Sequence, residues 1–221
     1  MNSKCVIFDM DGVIVDSEPL HQTAEKKVFG YAGAEVHDSL HHSFVGTSDL
    51  AMWTRIIALF QLPYSAKDLV DLKQQYYMEL LGDSKQIEPI SGVIELINNL
   101  NRSGFKLALA SSSPHSQISF FLNRFNISDY FDAKVSGEDV LNGKPNPDIF
   151  LRAAQLLGVQ PENCVVIEDS SNGILAAKNA NMKGLGFQNL NSGKQDLSNA
   201  DAIVDRFDLK TREIIDQLLT A

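Results

Sequence analysis

Acidic residues occur in pairs directly after two apolar segments of the chain. Asp9 and Asp11 follow the run KCVIF, and Glu168 and Asp169 follow NCVVI. Residues i and i+2 of an extended segment project to the same side, so the first two carboxylates repel unless a cation or a proton lies between them. Two such pairs at strand ends favour a metal site with hard oxygen ligands, for which Mg²⁺ is the natural ion.

Each acidic pair also has a simpler interpretation. Asp9 and Asp11 could be a surface pair at a turn, although an apolar segment of the kind that forms a buried strand leads to them. Asp169 or Ser170 could cap the following helix. That role would leave Glu168 unexplained, so the metal site accounts for more of the pattern.

Hydroxyl and ammonium groups follow two further apolar segments. Ser111 and Ser112 come at the end of KLALA, and Lys144 lies in the sequence GKPNP after the weaker run AKV. A hydroxyl and backbone N–H groups before a helix can bind phosphate. A lysine can supply the fixed positive charge that a transferring phosphoryl group needs. The alternatives are a plain helix cap for Ser111 and an exposed loop position for Lys144.

Composition and charge exclude several other functions. The net charge is -9 with no cluster of Lys and Arg, which disfavours nucleic-acid binding. No apolar run of about 18 residues is present, so we expect no membrane association and a cytoplasmic, monomeric protein. The two cysteines lack metal-ligand spacing, and none of the five histidines lies in a zinc motif. His21, which follows the first acidic pair, is the histidine placed closest to the predicted site.

The elements that would position these residues alternate between strand and helix. Continuous apolar runs at residues 4–8, 106–110, 133–135, 163–167 and 183–187 predict strands buried on both faces of a parallel sheet. Helical patterns separate most of them, which predicts an α/β, Rossmann-like core. Ligands in such folds bind beyond the carboxyl ends of the strands, where the acidic, hydroxyl and ammonium groups are expected.

The segment from residue 17 to residue 85 breaks this alternation. It has helical patterns at 18–29, 50–60 and 66–80 and no convincing strand. The simplest explanation is a helical domain inserted after the first strand. We therefore predict a catalytic core of residues 1–16 and 86–221 and a helical cap of residues 17–85.

These residues, in this order, resemble the haloacid dehalogenase superfamily. The four motifs of that family are matched by FDMDGVIVDS at 8–17, ASS at 110–112, KP at 144–145 and IEDS at 167–170. The stretches DSEPLH and KPNPDIF are typical of the subgroup that contains β-phosphoglucomutase and sugar-phosphate phosphatases. The resemblance extends over essentially the whole chain, with the cap after the first strand.

The resemblance implies a role for each motif residue. Asp9 is expected to attack phosphorus and form an aspartyl phosphate. Asp11 is expected to act as the general acid and then the general base, and to bind Mg²⁺ through its backbone carbonyl. Asp9, Glu168 and Asp169 would complete the metal site. Ser111, Ser112 and Lys144 would hold the phosphoryl oxygens. The substrate would be a small phosphorylated metabolite.

The cap is expected to select the substrate. By resemblance, Gly46, Thr47 and Ser48 belong to the cap loop that enters the site, and His21 matches a hinge position. Phosphoglucomutases typically have an arginine after this serine, whereas the chain has Asp49. An anion there would repel a second phosphate, although Lys73 and Arg55 could partly compensate.

Two enzymatic functions therefore remain open from the sequence. The first is a phosphatase that acts on a small phosphorylated metabolite, most simply a sugar phosphate. The second is a sugar-phosphate mutase of the β-phosphoglucomutase type. A binding module that had kept only the fold is disfavoured, because every expected group is present at the strand ends. A dehalogenase is disfavoured by Asp11, because an alkyl halide needs no proton for its leaving group.

Overall fold

The computed structural model describes residues 4–83 and 87–220. Within these residues the core is a six-stranded sheet in the order β3-β2-β1-β4-β5-β6, and all neighbouring strands are parallel. The strands are β1 (Cys5–Phe8), β2 (Lys106–Ser111), β3 (Ala133–Ser136), β4 (Cys164–Glu168), β5 (Lys183–Phe187) and β6 (Ala202–Val204). The predicted α/β, Rossmann-like parallel sheet is confirmed.

Nine helices accompany the sheet in the described part of the chain. They are α1 (Glu18–Ala32), α2 (Asp38–His42), α3 (Asp49–Phe60), α4 (Ala66–Asp83), α5 (Val93–Arg102), α6 (His115–Arg124), α7 (Asp148–Leu157), α8 (Ser171–Asn179) and α9 (Leu209–Leu218). Helix α7 ends at Gly158, which has a positive φ of 65° as the predicted helix stop requires. No helix among the described residues is long and apolar enough to span a membrane.

The central strand separates two hydrophobic cores. Val6 and Phe8 of β1 belong to one core, which also receives side chains from α5, α6 and α9. Cys5 and Ile7 belong to the other, with side chains from α7 and α8. Successive side chains of a strand point to opposite faces, so burial of all four shows that β1 is covered on both sides. The continuous apolar run KCVIF follows from this position.

The segment after β1 is helical throughout its described part. Helices α1 to α4 follow one another between β1 and α5. They enclose a third hydrophobic core around Trp53, Ile56 and Val28. The predicted boundary between residues 85 and 86 lies outside the described residues, and the division into a core domain and a cap domain stays a prediction.

Two short elements were not expected from the sequence. Helix α2 has only five residues, which is too short to show a helical period in the sequence. Strand β6 has three residues at the edge of the sheet, and its side chains are partly or fully exposed. An edge strand of this kind lacks the buried apolar run that identified the other strands.

Candidate active site

The carboxyl ends of β1 and β4 bring three acidic side chains together. Phe8 pairs with Ile167 in the register of these neighbouring strands, so Asp9 comes to lie beside Glu168. Oxygen atoms of Asp9, Glu168 and Asp169 lie within 4.8 Å of one another, and all three residues are buried. Hard oxygen ligands at this spacing suit Mg²⁺, which binds one or two carboxylates and fills its other positions with water and phosphate oxygens.

Lys144 lies between two of these carboxylates. Its Nζ atom is 2.7 Å from Asp9 Oδ1 and 2.7 Å from Glu168 Oε1. Burial alone would lower the pKa of Lys144, but the charges and hydrogen bonds of the two carboxylates outweigh it and raise the pKa. The lysine is therefore a permanent cation, and the alternative of an exposed loop residue is wrong because only 3% of Lys144 is exposed.

The acidic group carries more negative charge than Lys144 balances. Burial raises the pKa of Asp9 to about 8, against the lowering effect of Lys144 and with further raising by Glu168 and Asp11. Burial, followed by the charges of Glu168 and Asp9, raises the pKa of Asp169 well above its ordinary value. A divalent cation among these oxygens would remove the repulsion, so the residues present fit a magnesium ion.

The turn after β4 holds both acidic residues in place. Glu168 Oε2 accepts hydrogen bonds from the backbone N–H of Ser170 at 2.7 Å and from its hydroxyl at 2.8 Å. Ser170 also caps α8 by accepting from the N–H of Gly173 at 3.0 Å. Ser192 donates a hydrogen bond to Asp169. The predicted helix cap is therefore Ser170, and capping and the acidic site coexist.

Gly12 makes room for Asp169. Its φ is +78°, and a Cβ atom at this position would lie 1.9 Å from Asp169 Oδ2. Both the backbone conformation and the close approach require glycine here. The DxDG sequence is thus explained by the packing of the first strand end against the second acidic pair.

The carboxylate of Asp11 points away from the acidic group. It accepts hydrogen bonds from the hydroxyls of Ser17, Ser113 at 2.7 Å and Ser111 at 3.2 Å. Asp11 therefore does not belong to the acidic group of Asp9, Glu168 and Asp169, and the role at the metal expected for it is that of its backbone carbonyl. The expected contribution of its backbone carbonyl stays a prediction. The hydroxyl of Ser111, predicted to hold phosphate, donates to Asp11 in this structure.

His21 completes the surroundings of Asp11 and is itself fixed by Lys73. Lys73 Nζ lies 2.8 Å from His21 Nδ1. An ammonium group only donates, so Nδ1 accepts and the proton of the neutral ring lies on Nε2. His21 Nε2, which is 3.2 Å from Asp11 Oδ1, is therefore the donor to Asp11. This assignment rests on the hydrogen-bond network.

The pKa of Asp11 is set by two opposing influences. Burial raises it, whereas the hydrogen bonds from His21 and from the hydroxyls of Ser17 and Ser113 lower it by more. The net effect holds the pKa of Asp11 well below its usual range. Asp11 and Asp9 are thus two neighbouring carboxyls whose pKa values shift in opposite directions when no cation lies between the acidic side chains.

Lys73 also pairs with the residue that follows the cap loop. Its Nζ atom is 2.9 Å from both carboxylate oxygens of Asp49. Lys73 was expected to offset the negative charge of Asp49 in part, and the structure shows that the two side chains pair directly. Arg55 instead lies over the ring of Phe44, 5.5 Å from its centroid.

The predicted cap loop lies against the core. Gly46 has a φ of +79°, and a Cβ atom there would lie 2.2 Å from Ser170 Oγ. Its carbonyl accepts a hydrogen bond from Ser112 Oγ at 3.0 Å. Thr47 donates to the carbonyl of Phe44, and Ser48 caps α3. Ser112 was predicted to hold phosphate, and here its hydroxyl holds the cap loop.

A cavity lies between the cap and the strand ends, and sequence analysis missed several residues that line it. Glu18, Glu25 and His41 line its wall together with the predicted residues. His41 Nε2 is hydrogen-bonded to the carboxylate of Glu25, and both side chains are buried. A clue was present in the sequence: Glu18, His21 and Glu25 occur at positions i, i+3 and i+7, which share one face of a helix. Three polar side chains on one buried face of a helix are typical of a cavity wall.

Comparison with known proteins agrees with this geometry. Residues 3–181 match the family model of the haloacid dehalogenase-like hydrolases. The chain is 34% identical over 197 residues to a phosphorylated carbohydrates phosphatase of Thermotoga maritima, with 86% of this chain and 88% of the relative covered. It is also 34% identical to hexitol phosphatase B of Escherichia coli, with 81% of each chain covered.

Comparison with a solved structure agrees with the family match. The crystal structure of β-phosphoglucomutase from Clostridium difficile superposes with a TM-score of 0.87 at 30% identity, and covers 99% of this chain and 97% of that one. The family match and the phosphatase-named relatives confirm the predicted enzyme class. With these motifs at these strand ends, the chain belongs to the haloacid dehalogenase-like hydrolases.

Proposed function

We propose that the protein is a magnesium-dependent phosphatase that hydrolyses a small phosphorylated carbohydrate through an aspartyl phosphate on Asp9. The observation that carries the proposal is the position of Lys144, with its ammonium group 2.7 Å from both Asp9 and Glu168 and with the oxygens of Asp169 nearby. A fixed cation and an acidic metal site at one nucleophilic carboxylate suit phosphoryl transfer, in which charge develops on the phosphoryl oxygens. The names of the phosphatase relatives support a carbohydrate ester as substrate.

In this mechanism Asp9 is the nucleophile. One of its oxygens bonds to phosphorus while the bond from phosphorus to the ester oxygen breaks, which leaves the phosphoryl group on Asp9. Lys144 binds the phosphoryl oxygens and offsets their charge, and Ser111 and Ser112, at the end of the neighbouring strand β2, assist it. Mg²⁺, held by Asp9, Glu168 and Asp169, would supply further charge stabilisation to the phosphoryl group.

Asp11 handles the proton in both steps. The negative charge of the bound phosphate raises the pKa of Asp11, so the carboxylate takes up a proton from solvent as the substrate binds, and it gives this proton to the leaving ester oxygen. As a carboxylate it then takes a proton from the water that attacks the phosphoryl group on Asp9. His21, fixed by Lys73, holds the Asp11 carboxyl in position during both transfers. Since His21 and Lys73 come from α1 and α4, the cap segment contributes to the acid–base step.

A mutase is the second candidate, and the likeness to the β-phosphoglucomutase structure favours it. The pairing of Lys73 with Asp49 supports the phosphatase instead, because this lysine is then not free to bind a second phosphate. Incubation with β-glucose 1-phosphate separates the two functions. A phosphatase releases inorganic phosphate, whereas a mutase yields glucose 6-phosphate.

The direct test is a screen of phosphorylated carbohydrates with and without Mg²⁺, using the wild-type protein and the Asp9→Asn variant. We expect phosphate release that requires Mg²⁺ and is lost in the variant, with the variant still folded by circular dichroism. Turnover of the wild type in excess chelator, or full activity of the variant, would contradict the proposal. A cytoplasmic location, a monomeric state and the domain division at residues 17 and 85 belong to the same proposal.

A further inference from the structure

The cap side of the cavity is poor in available positive charge. Among the described residues that line the cavity, the only Lys or Arg side chains are Lys144 at the core and Lys73 at the cap. Lys73 is buried and donates to both oxygens of Asp49 and to His21 Nδ1, and its Nζ atom is also 3.9 Å from Glu25. These contacts use the donors of Lys73, so it has no donor left for a ligand.

Glu18 differs from Lys73 because its carboxyl group lines the cavity and has no hydrogen-bond or ion-pair partner among the described residues. It is the first residue of α1, only 8% of it is exposed, and it lines the cavity. Within residues 4–83 and 87–220, no hydrogen-bond donor or ion-pair partner reaches its carboxyl group. Burial, followed by the charges of Glu25 and Asp11, raises its pKa well above the ordinary value. Buried polar groups normally have partners, so this one is available to a ligand.

We propose that Glu18 is a substrate-binding residue that hydrogen-bonds a hydroxyl group of the substrate, and that the acidic cap wall selects a neutral, hydroxyl-rich carbon skeleton with one phosphate. The inference rests on the proposed phosphatase function and adds the charge of the substrate's distal part. Hydroxyl groups can donate to Glu18 and accept from Gln22 or His42, which line the same cavity. A carboxylate or a second phosphate would face Glu18, Glu25 and Asp49 with no free cation among the described lining residues.

Two physical effects give this selection. A site built to bind hydroxyl groups rejects an analogue without them, because its buried polar groups then stay unpaired. A second anion would also be buried in this cavity without a free cation to pair with, and burial of an unpaired charge is costly. Both effects act on the distal part of the substrate and leave the phosphoryl group at Asp9 and Lys144 unaffected.

Three phosphate esters with six-carbon chains separate these effects. Glucitol 6-phosphate has a neutral polyol chain, 6-phosphogluconate has the same chain with a carboxylate at its far end, and hexyl phosphate has no hydroxyl groups. We expect kcat/KM to be highest for glucitol 6-phosphate and about 10- to 100-fold lower for each of the other two, because each of these leaves a buried polar group or a buried charge without a partner.

Variants of Glu18 identify the residue responsible. Glu18→Met removes the acceptor and is expected to lower kcat/KM for glucitol 6-phosphate about 10-fold, mainly through KM, with little change for hexyl phosphate. Glu18→Gln keeps a hydrogen-bonding side chain of the same length that cannot ionise, so it is expected to retain most of the kcat/KM for glucitol 6-phosphate that Glu18→Met loses. Glu35→Gln, at an exposed position that does not line the cavity, is the matched control and is expected to change none of these values.

The outcomes distinguish this inference from the proposed function. Equal kcat/KM values for the three esters in the wild type, or an equal loss on all three in both Glu18 variants, would overturn the selection by the cap wall alone. Absence of turnover on all three esters, with Mg²⁺ present and the protein folded, would overturn the proposed function and this inference with it.

Discussion

Replacement of Lys73 by methionine removes a buried cation that joins the cap segment to the surroundings of Asp11. Lys73 lies on α4, is 2% exposed, and bonds both oxygens of Asp49 and Nδ1 of His21. Methionine has a similar length and no charge, so it leaves the carboxylate of Asp49 in a largely buried place without its partner. His21 also loses the donor that fixes its tautomer.

The size of the effect follows from the burial of the pair. Removal of one partner of a buried ion pair costs about 3–5 kcal/mol. The side chain of Asp49 is 22% exposed, which places the expected loss near the lower end, at about 3 kcal/mol. For a chain of this length that loss lowers the melting temperature by roughly 6–12 °C. A further Asp49→Asn change should restore part of the loss, and not all of it because Glu25 also lies near Lys73.

Urea unfolding of four proteins measures this coupling. They are the wild type, Lys73→Met, Asp49→Asn and the double variant. Lys26→Met is the control, because Lys26 forms an exposed pair with Asp38 at 3.6 Å and should cost no more than about 1 kcal/mol. A Lys73→Met protein as stable as this control, or a double variant with strictly additive losses, would refute the claim that Lys73 and Asp49 stabilise each other.

Two further predictions concern the acidic group itself. The pKa of Asp9 is raised from an ordinary 3.8 to about 8, so without Mg²⁺ the folded protein holds a proton that the unfolded chain releases, and the free energy of unfolding should fall as pH rises between these values. Mg²⁺ competes with that proton, so its stabilising effect in thermal unfolding should be larger at about pH 9 than at about pH 6; a larger effect at the lower pH would contradict the assignment. Gly12→Ala should abolish Mg²⁺-dependent stabilisation, because its Cβ would lie 1.9 Å from Asp169 Oδ2, whereas Gly30→Ala, with open space around it, should raise stability by up to about 1 kcal/mol.

The sheet and its functional strand ends could be predicted from the sequence because burial on both faces leaves a visible mark. The runs that became β1 and β4 are apolar without interruption, and the acidic pairs follow each of them directly. Local order was therefore enough to place Asp9 near Glu168. Lys144 was expected at the same edge of the sheet, but its position between Asp9 and Glu168 was not, because its contacts depend on the path of the loop that follows β3.

The cap contacts could not be predicted for a different reason. Lys73 was expected to compensate for Asp49 only in part, because it lies 24 residues away on another helix and the sequence does not show that the two side chains pair directly. The pair formed by His41 and Glu25 likewise depends on how α1 and α2 pack. Helix periodicity predicts which face of a helix is buried, and the partner of each polar side chain on that face is set only by tertiary packing.

The central claim is that Asp9 attacks phosphorus, and rapid acid quench of a single turnover tests it most directly. The wild type is mixed with glucitol 6-phosphate and Mg²⁺, quenched, digested and analysed by mass spectrometry, with Asp9→Asn as the control. We expect the mass of one phosphoryl group on the peptide that contains Asp9, and none in the variant. Turnover with the phosphoryl group on another residue, or equal labelling of the variant, would contradict the account.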